Sequence, residues 1–282
     1  MCIQTPKRPS STHVALLGCR SFSDVRSTFS SAKENLGEIL SAVEFMDKGA
    51  FEAGLKMTGG ENVLGSEHDF YVLLETSGSC ESHDREKVTN FLDHWMCNTT
   101  DSEANGVLAQ DETQLKNIWS IRESVGPSCS QEGLVYKYVF PHTIIYHPPT
   151  IIHHKYSKTP NRYDISLPLE KMYDVVSIVR DRLLPDTSTT RVVGYGHLGD
   201  SNLHLNVVVP DHDENVLSIL EPFVFDWTTK HSGSISAEHG VGQCKNIYLS
   251  KSKPAEVLST MHGLKNMFDP NGILNPYKVL VN

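Results

Sequence analysis

Residues 194–206, GYGHLGDSNLHLN, constrain the fold of this chain more than any other stretch. The centre, Gly199-Asp200-Ser201-Asn202, is built of turn formers, and apolar-rich runs flank it at residues 191–195 and 203–210. Such a pattern folds back on itself as a β-hairpin. A hairpin returns antiparallel, so His197 before the turn and His204 after it can lie side by side across the ladder. Side chains alternate along a strand, which puts His204 and Asn206 on one face and turns Leu203, Leu205 and Val207 into packing. Two imidazoles and a carboxamide on one face suit a metal-assisted site.

A further candidate ligand lies in residues 234–242, SISAEHGVG, where Glu238 and His239 are adjacent and Gly240 and Gly242 permit a tight turn. Two histidines and a carboxylate with one position left open form the ligand set of catalytic zinc and of non-haem iron. A histidine on a strand is equally a hydrogen-bonded structural residue, and His-x6-His has no dedicated meaning. Spacing alone leaves both readings open.

Elsewhere the patterns predict strands at residues 13–19, 38–46 and 70–76, the last a nearly continuous apolar run of a buried sheet. Helices are expected at 21–36, 82–96, 113–124, 168–184, 214–230 and 254–268. Val88, Phe91, Leu92 and Trp95 recur at helical spacing and read as core. Strand–helix–strand units with antiparallel strands imply an α+β, ferredoxin-like arrangement with helices packed on one face of the sheet.

GYGHLGDSNLHLNV, SAEHGVG and FDPNGILNPYKVL resemble, in this order, the C-terminal domain of FAD-linked oxidoreductases of the vanillyl-alcohol oxidase superfamily. VALLGC, EILSAVEFMD, FYVLLETSGS, IRESVG and LVYKY extend the likeness upstream over nearly the whole chain. EILSAVEFMD and LVYKY favour the D-2-hydroxyglutarate dehydrogenases within that superfamily over D-lactate dehydrogenases and alkylglycerone phosphate synthases. The resemblance implies that His197, His204 and Glu238 ligate zinc. It implies that Asn206 and His239 contact substrate, with His239 the base for the hydroxyl proton. Arg122 and Lys137 correspond to residues that bind the substrate carboxylates. A family threonine that follows the arginine is Gly126 here, which removes a hydroxyl donor. Asn275 in ILNPYK corresponds to a residue that faces the flavin.

The implied chemistry is coherent. A 2-hydroxy acid chelates one divalent ion, a metal-bound hydroxyl is acidified, and an imidazole takes its proton. No side chain accepts a hydride, so a flavin or nicotinamide is required. The expected reaction is oxidation of D-2-hydroxyglutarate to 2-oxoglutarate with FAD. The alternatives are a related D-lactate enzyme and a catalytically silent fragment that binds metal or a partner. Electrons would pass on to an acceptor such as electron-transfer flavoprotein, and the family location is mitochondrial.

Two departures stand out. No Gly-rich dinucleotide cradle appears, and residues 1–12 resemble a linker that follows an N-terminal FAD-binding domain. Residues 13–282 are then expected as the substrate and metal domain. Within it, VYKY should run directly into D-x-SLP, yet residues 139–163 intervene with four prolines and four histidines (His142, His147, His153, His154). Prolines break both helix and ladder, so this segment reads as a non-family insertion or retained intron rather than a histidine metal site.

A net charge of −9 argues against a nucleic-acid surface, and no apolar run reaches membrane-spanning length. The six cysteines show no C-x-x-C spacing, which suggests packing thiols in a reducing compartment.

Overall fold

Strand β1 (Ser11–Cys19, STHVALLGC) is buried at every position but one, as befits a central strand. It pairs antiparallel with β3 (Phe70–Gly78) on one side and β4 (Gly106–Leu108) on the other, and β3 pairs with β2 (Leu40–Asp47). The computed structural model describes residues 8–98, 105–136, 163–185, 187–243 and 245–280. Lys137 and residues 139–162 of the expected insertion lie outside them. The chain divides into two compact units, Met1–Ser128 with Tyr195–Gly199, and Cys129–Gly194 with Asp200–Asn282.

In the first unit the strands run β4-β1-β3-β2, the order of the ferredoxin-like split βαβ fold expected from the sequence. Helix α1 (Phe22–Leu36) starts at Ser21, whose hydroxyl accepts the Asp24 N–H at 3.1 Å. It buries Val25, Phe29, Ala32 and Leu36 along one face, the larger of them worth about 1.5–3 kcal/mol each. Helix α3 (Glu81–Asn98) packs against α1 with Val88, Phe91, Leu92 and Trp95 buried, and the Trp95 indole donates to Thr28 Oγ1 at 2.9 Å.

Two elements depart from expectation. Helix α2 (Lys48–Thr58), which the apolar pattern did not announce, starts where the Asp47 carboxylate accepts the Ala50 N–H. Gly54 lets it approach helix α4 (Glu112–Glu132), since a Cβ there would stand 2.3 Å from the Ile121 carbonyl oxygen. α4 continues past Gly126 and Pro127 instead of stopping near Ser124. Ile118, Ile121, Val125 and Cys129 are all buried. The apolar period thus runs through the proline, and packing offsets its cost of about 3 kcal/mol.

The second unit is organised by the predicted hairpin. Strands β7 (Arg191–His197) and β8 (Asn202–Val209) are neighbours joined by residues 198–201. β7 changes unit at Tyr195. Every residue of β8 is buried, Asn202, His204 and Asn206 included. Strands β5 (Leu134–Tyr136) and β6 (Tyr163–Ser166) both pair antiparallel with β8, at residues 207–209 and 202–205 respectively. They are successive lengths of one ladder, and Asn206 falls between them. Tyr163, expected as the end of the insertion, is the first residue of β6, buried and opposite Leu205.

The helix expected over residues 168–184 begins at Asp174 as α5 (Asp174–Leu183), preceded by turns in which Lys171 N–H bonds the Pro168 carbonyl. That expected at 214–230 is two helices, α6 (Glu214–Leu220) and α7 (Phe223–Lys230). Pro222 has no N–H with which to continue the first. Just before it, Glu221 accepts the hydroxyls of Tyr248 (2.9 Å) and Tyr163 (3.5 Å), and burial pushes its carboxyl up. A short helix α8 (Leu249–Ser252) leads to α9 (Ala255–Phe268), which buries none of its side chains.

Among the described residues, Cys19, Cys80, Cys97 and Cys129 are free thiols, and burial pushes Cys19 up to about 12. No described helix is long and apolar enough to cross a membrane.

Candidate functional site

Register builds the site in the second unit. Asp164 on β6 lies opposite His204 on β8, both fully or almost fully buried. The chain then returns beside β6: Ser166 and Ser234 exchange backbone hydrogen bonds at 3.0 and 2.9 Å, and Ala237 N–H reaches the Asp164 carbonyl at 3.3 Å. The next two amides, of Glu238 and His239, donate to Asp164 Oδ2 at 3.1 and 2.9 Å.

These contacts bring Glu238 Oε1 to 3.2 Å from His204 Nε2 and 3.8 Å from His239 Nε2. One donor atom from each of Asp164, His204, Glu238 and His239 lies within 4.8 Å of the others. In an extended chain, Glu238 and His239 would point apart. Here the backbone bends through residues 237–239 and turns left-handed at Gly240 (φ 75°) and Gly242 (φ 56°), so both side chains join one cluster.

Two imidazoles and two carboxylates suit zinc or a similar divalent ion. One feature of the protein itself fits a cation: Asp164 Oδ1 is buried and accepts no hydrogen bond among the described residues. A buried carboxylate oxygen without a donor is costly, and a positive charge would satisfy it. Lys245, also buried, reaches the Asp164 carbonyl oxygen at 3.3 Å.

The first unit holds a different constellation. Glu44 on β2 lies opposite His197 on β7. Its Oε1 meets His197 Nδ1 at 2.7 Å, and its Oε2 accepts Arg122 Nε at 3.1 Å, with Arg122 Nη2 at 2.8 Å. The guanidinium lies over the Tyr195 ring, 4.7 Å from its centroid. Nη2 is buried and close to Glu44, without an aligned hydrogen bond among the described residues.

Of the residues singled out from sequence, His204, Glu238 and His239 are therefore brought together. His197 and Arg122 meet around Glu44 in the first unit. Asn206 is buried on β8, two residues from His204. Asn275 is exposed after α9 with φ 49°, and Lys137 lies outside the described residues. Asp164, Glu44 and Lys245 were not singled out. The available signal for Asp164 and Glu44 was an acid inside an apolar, strand-like run (YDISL, SAVEFM); for Lys245 there was none.

A family model described as "FAD linked oxidases, C-terminal domain" matches residues 8–143 and 151–279. The chain belongs to this family. Among its relatives, the mitochondrial D-2-hydroxyglutarate dehydrogenase of Danio rerio is 42% identical over 99% of this chain and 46% of the relative. That of Arabidopsis thaliana is 39% identical over 99% of this chain and 44% of the relative. A Schizosaccharomyces pombe protein, named provisionally as a mitochondrial D-lactate dehydrogenase, is 41% identical over 97% of this chain and 48% of its own length. The chain thus spans about half the length of the curated relatives it matches. Among solved structures, p-cresol methylhydroxylase with substrate bound aligns with a TM-score of 0.60 at 9% identity, over 97% of this chain and 53% of that one. Alkyldihydroxyacetonephosphate synthase aligns at 0.54 and 12%, over 95% and 44%. At such identities these two likenesses concern the fold of this FAD-linked oxidase domain.

Proposed function

We propose that the chain is the substrate- and metal-binding part of an FAD-linked, mitochondrial dehydrogenase of D-2-hydroxy acids, acting on D-2-hydroxyglutarate. The observation that carries this reading is the His204–Glu238–His239–Asp164 cluster, in a chain whose relatives are named for that reaction. His204 and Glu238 would hold zinc. His197, the third ligand implied by the sequence resemblance, is supported by its Nδ1 contact with Glu44, since ligating histidines are commonly oriented by a carboxylate on the other ring nitrogen.

Zinc supplies Lewis acidity toward the substrate hydroxyl, and the flavin, when bound, supplies the acceptor for the C2 hydride. The chain's own residues do the rest. His239, half exposed, takes the hydroxyl proton as a base with an ordinary imidazole reach. Arg122, its guanidinium over the Tyr195 ring, offers its positive charge to a substrate carboxylate, with Lys137 as a second, point-like cation. Asn206 contributes a carboxamide to substrate, and Asn275 meets the flavin. Electron-transfer flavoprotein is the proposed onward acceptor.

The test is a chimaera in which this chain is joined to the part of the Danio rerio relative that it does not match, loaded with FAD and assayed by dye reduction. D-2-hydroxyglutarate should exceed D-lactate in kcat/KM by roughly 10- to 100-fold, the worth of one hydrogen bond to a charged group. The reverse order would favour the D-lactate reading, which the Schizosaccharomyces pombe relative motivates. A flavin-loaded, zinc-loaded chimaera without turnover on either would leave a silent binding module.

A further inference from the structure

We propose that Asp164 is the positioning residue of the metal cluster: its carboxylate holds the backbone of Glu238 and His239 so that their side chains meet at His204. What the cluster binds rests on the metal reading above; how it is held rests on the hydrogen bonds alone.

Three consecutive residues hang from this one aspartate. Ala237 N–H bonds its carbonyl oxygen, and Glu238 and His239 N–H bond its Oδ2. No strand or helix fixes residues 238–242, and Gly240 and Gly242 are left-handed, so the segment has little intrinsic stiffness. Packing adds little either, because the Glu238 and His239 side chains are 46% and 51% exposed. Asp164 is their opposite, 0% exposed and locked by register against His204. A rigid strand thereby hands its order to a soft loop through two amide–carboxylate bonds.

Burying the acid is itself informative. A structural anchor alone could be met by a neutral acceptor. Here a full carboxylate is kept, with Oδ1 accepting nothing among the described residues and the buried Lys245 ammonium on the backbone oxygen of the same residue. The arrangement orients two cluster members while keeping the carboxylate within reach of a bound cation.

The experiment compares wild type, Asp164→Ala and Asp164→Asn in the whole chain by amide hydrogen exchange at Glu238 and His239, and by cobalt(II) titration followed in visible absorption. Folding is monitored by far-UV circular dichroism. Asp164→Ala should lose exchange protection at both amides and bind cobalt roughly 10- to 100-fold more weakly, with altered bands. Asp164→Asn retains an oxygen that can accept both N–H groups and should stay close to wild type in exchange, while binding cobalt more weakly because the negative charge is gone. A folded Asp164→Ala with wild-type exchange overturns the proposal. So does a folded Asp164→Asn that loses protection at both amides. Should Asp164→Ala fail to fold, Asp164→Asn decides by the same criterion. Wild-type chain that takes up no cobalt would defeat the metal reading, while the exchange comparison still decides the anchor.

Discussion

Glu44 and Asp164 occupy matching positions in the two units: each is a buried carboxylate facing a histidine across an antiparallel strand pair. Their surroundings differ. Glu44 meets side chains with both oxygens, His197 on one and Arg122 on the other, and the charges of the ion pair cancel locally. Asp164 gives one oxygen to two backbone amides and leaves the other without a hydrogen bond among the described residues, beside a second carboxylate and two histidines. The same local geometry therefore yields a charge-balanced arrangement in one place and an unbalanced, cation-seeking one in the other. Damage to the first should appear most strongly in folding, and damage to the second mainly in what the protein binds.

Glu44→Ala is the severest test. Removing one partner of a buried pair strands the Arg122 charge, at a cost of about 3–5 kcal/mol, so thermal unfolding should fall by on the order of 10 °C. Glu238→Ala, at a half-exposed position, should leave the unfolding temperature nearly unchanged while weakening zinc by more than the roughly 100-fold typical of outer partners. Equal stability losses in the two variants would break the comparison.

In the flavin-bearing chimaera, His239→Ala should keep its metal and lose turnover by roughly 100-fold or more, the scale of general-base catalysis. Metal release from His239→Ala, with metal retained in Glu238→Ala, would exchange the two roles. Both side chains reach the cluster, so metal content rather than geometry discriminates them.

Deleting residues 139–163 sharpens the comparison from the other side, because β6 carries Asp164. Tyr136 pairs with Val207 and Asp164 with His204. In the deleted chain Lys137 would fall opposite Asn206, and Tyr138 would replace Tyr163 opposite Leu205. The register closes without a slip. Shortening the connection should then stabilise by about 1–3 kcal/mol in unfolding experiments. A marked loss of stability would mean that the segment contributes to the fold.

The smallest effect concerns pH. Burial raises Glu221, so the stability linked to this group is fully present below the ordinary glutamate value of 4.5 and is lost as pH rises through the folded-state value. Glu221→Gln removes that dependence. Its unfolding temperature, relative to wild type, should climb from acid toward neutral pH; a flat difference would contradict the assignment.

Much of this was legible in the sequence because it is local. The hairpin turn at residues 198–201 and the apolar period of α3 each announce themselves within a few residues. The rest depends on pairings between distant parts of the chain. Glu44 meets His197 across 153 positions, and Asp164 supports Glu238 across 74, so no window of sequence contains either partnership. Tertiary packing likewise carries α4 through Pro127, a residue that local reasoning treats as a stop. For Glu238 and His239, the glycines that follow allowed a tight turn, and the chain does bend there.

Strand β8 behaves as a splint across a cut. The chain departs from it opposite Val207 and rejoins it opposite Leu205, a gap of about 7 Å at strand rise. β8 fixes the frame on each side independently, through Tyr136 and Tyr163. This makes the junction a natural port for engineering: a reporter domain whose termini lie close together could be spliced in there, and its signal would report directly on the strand that bears His204.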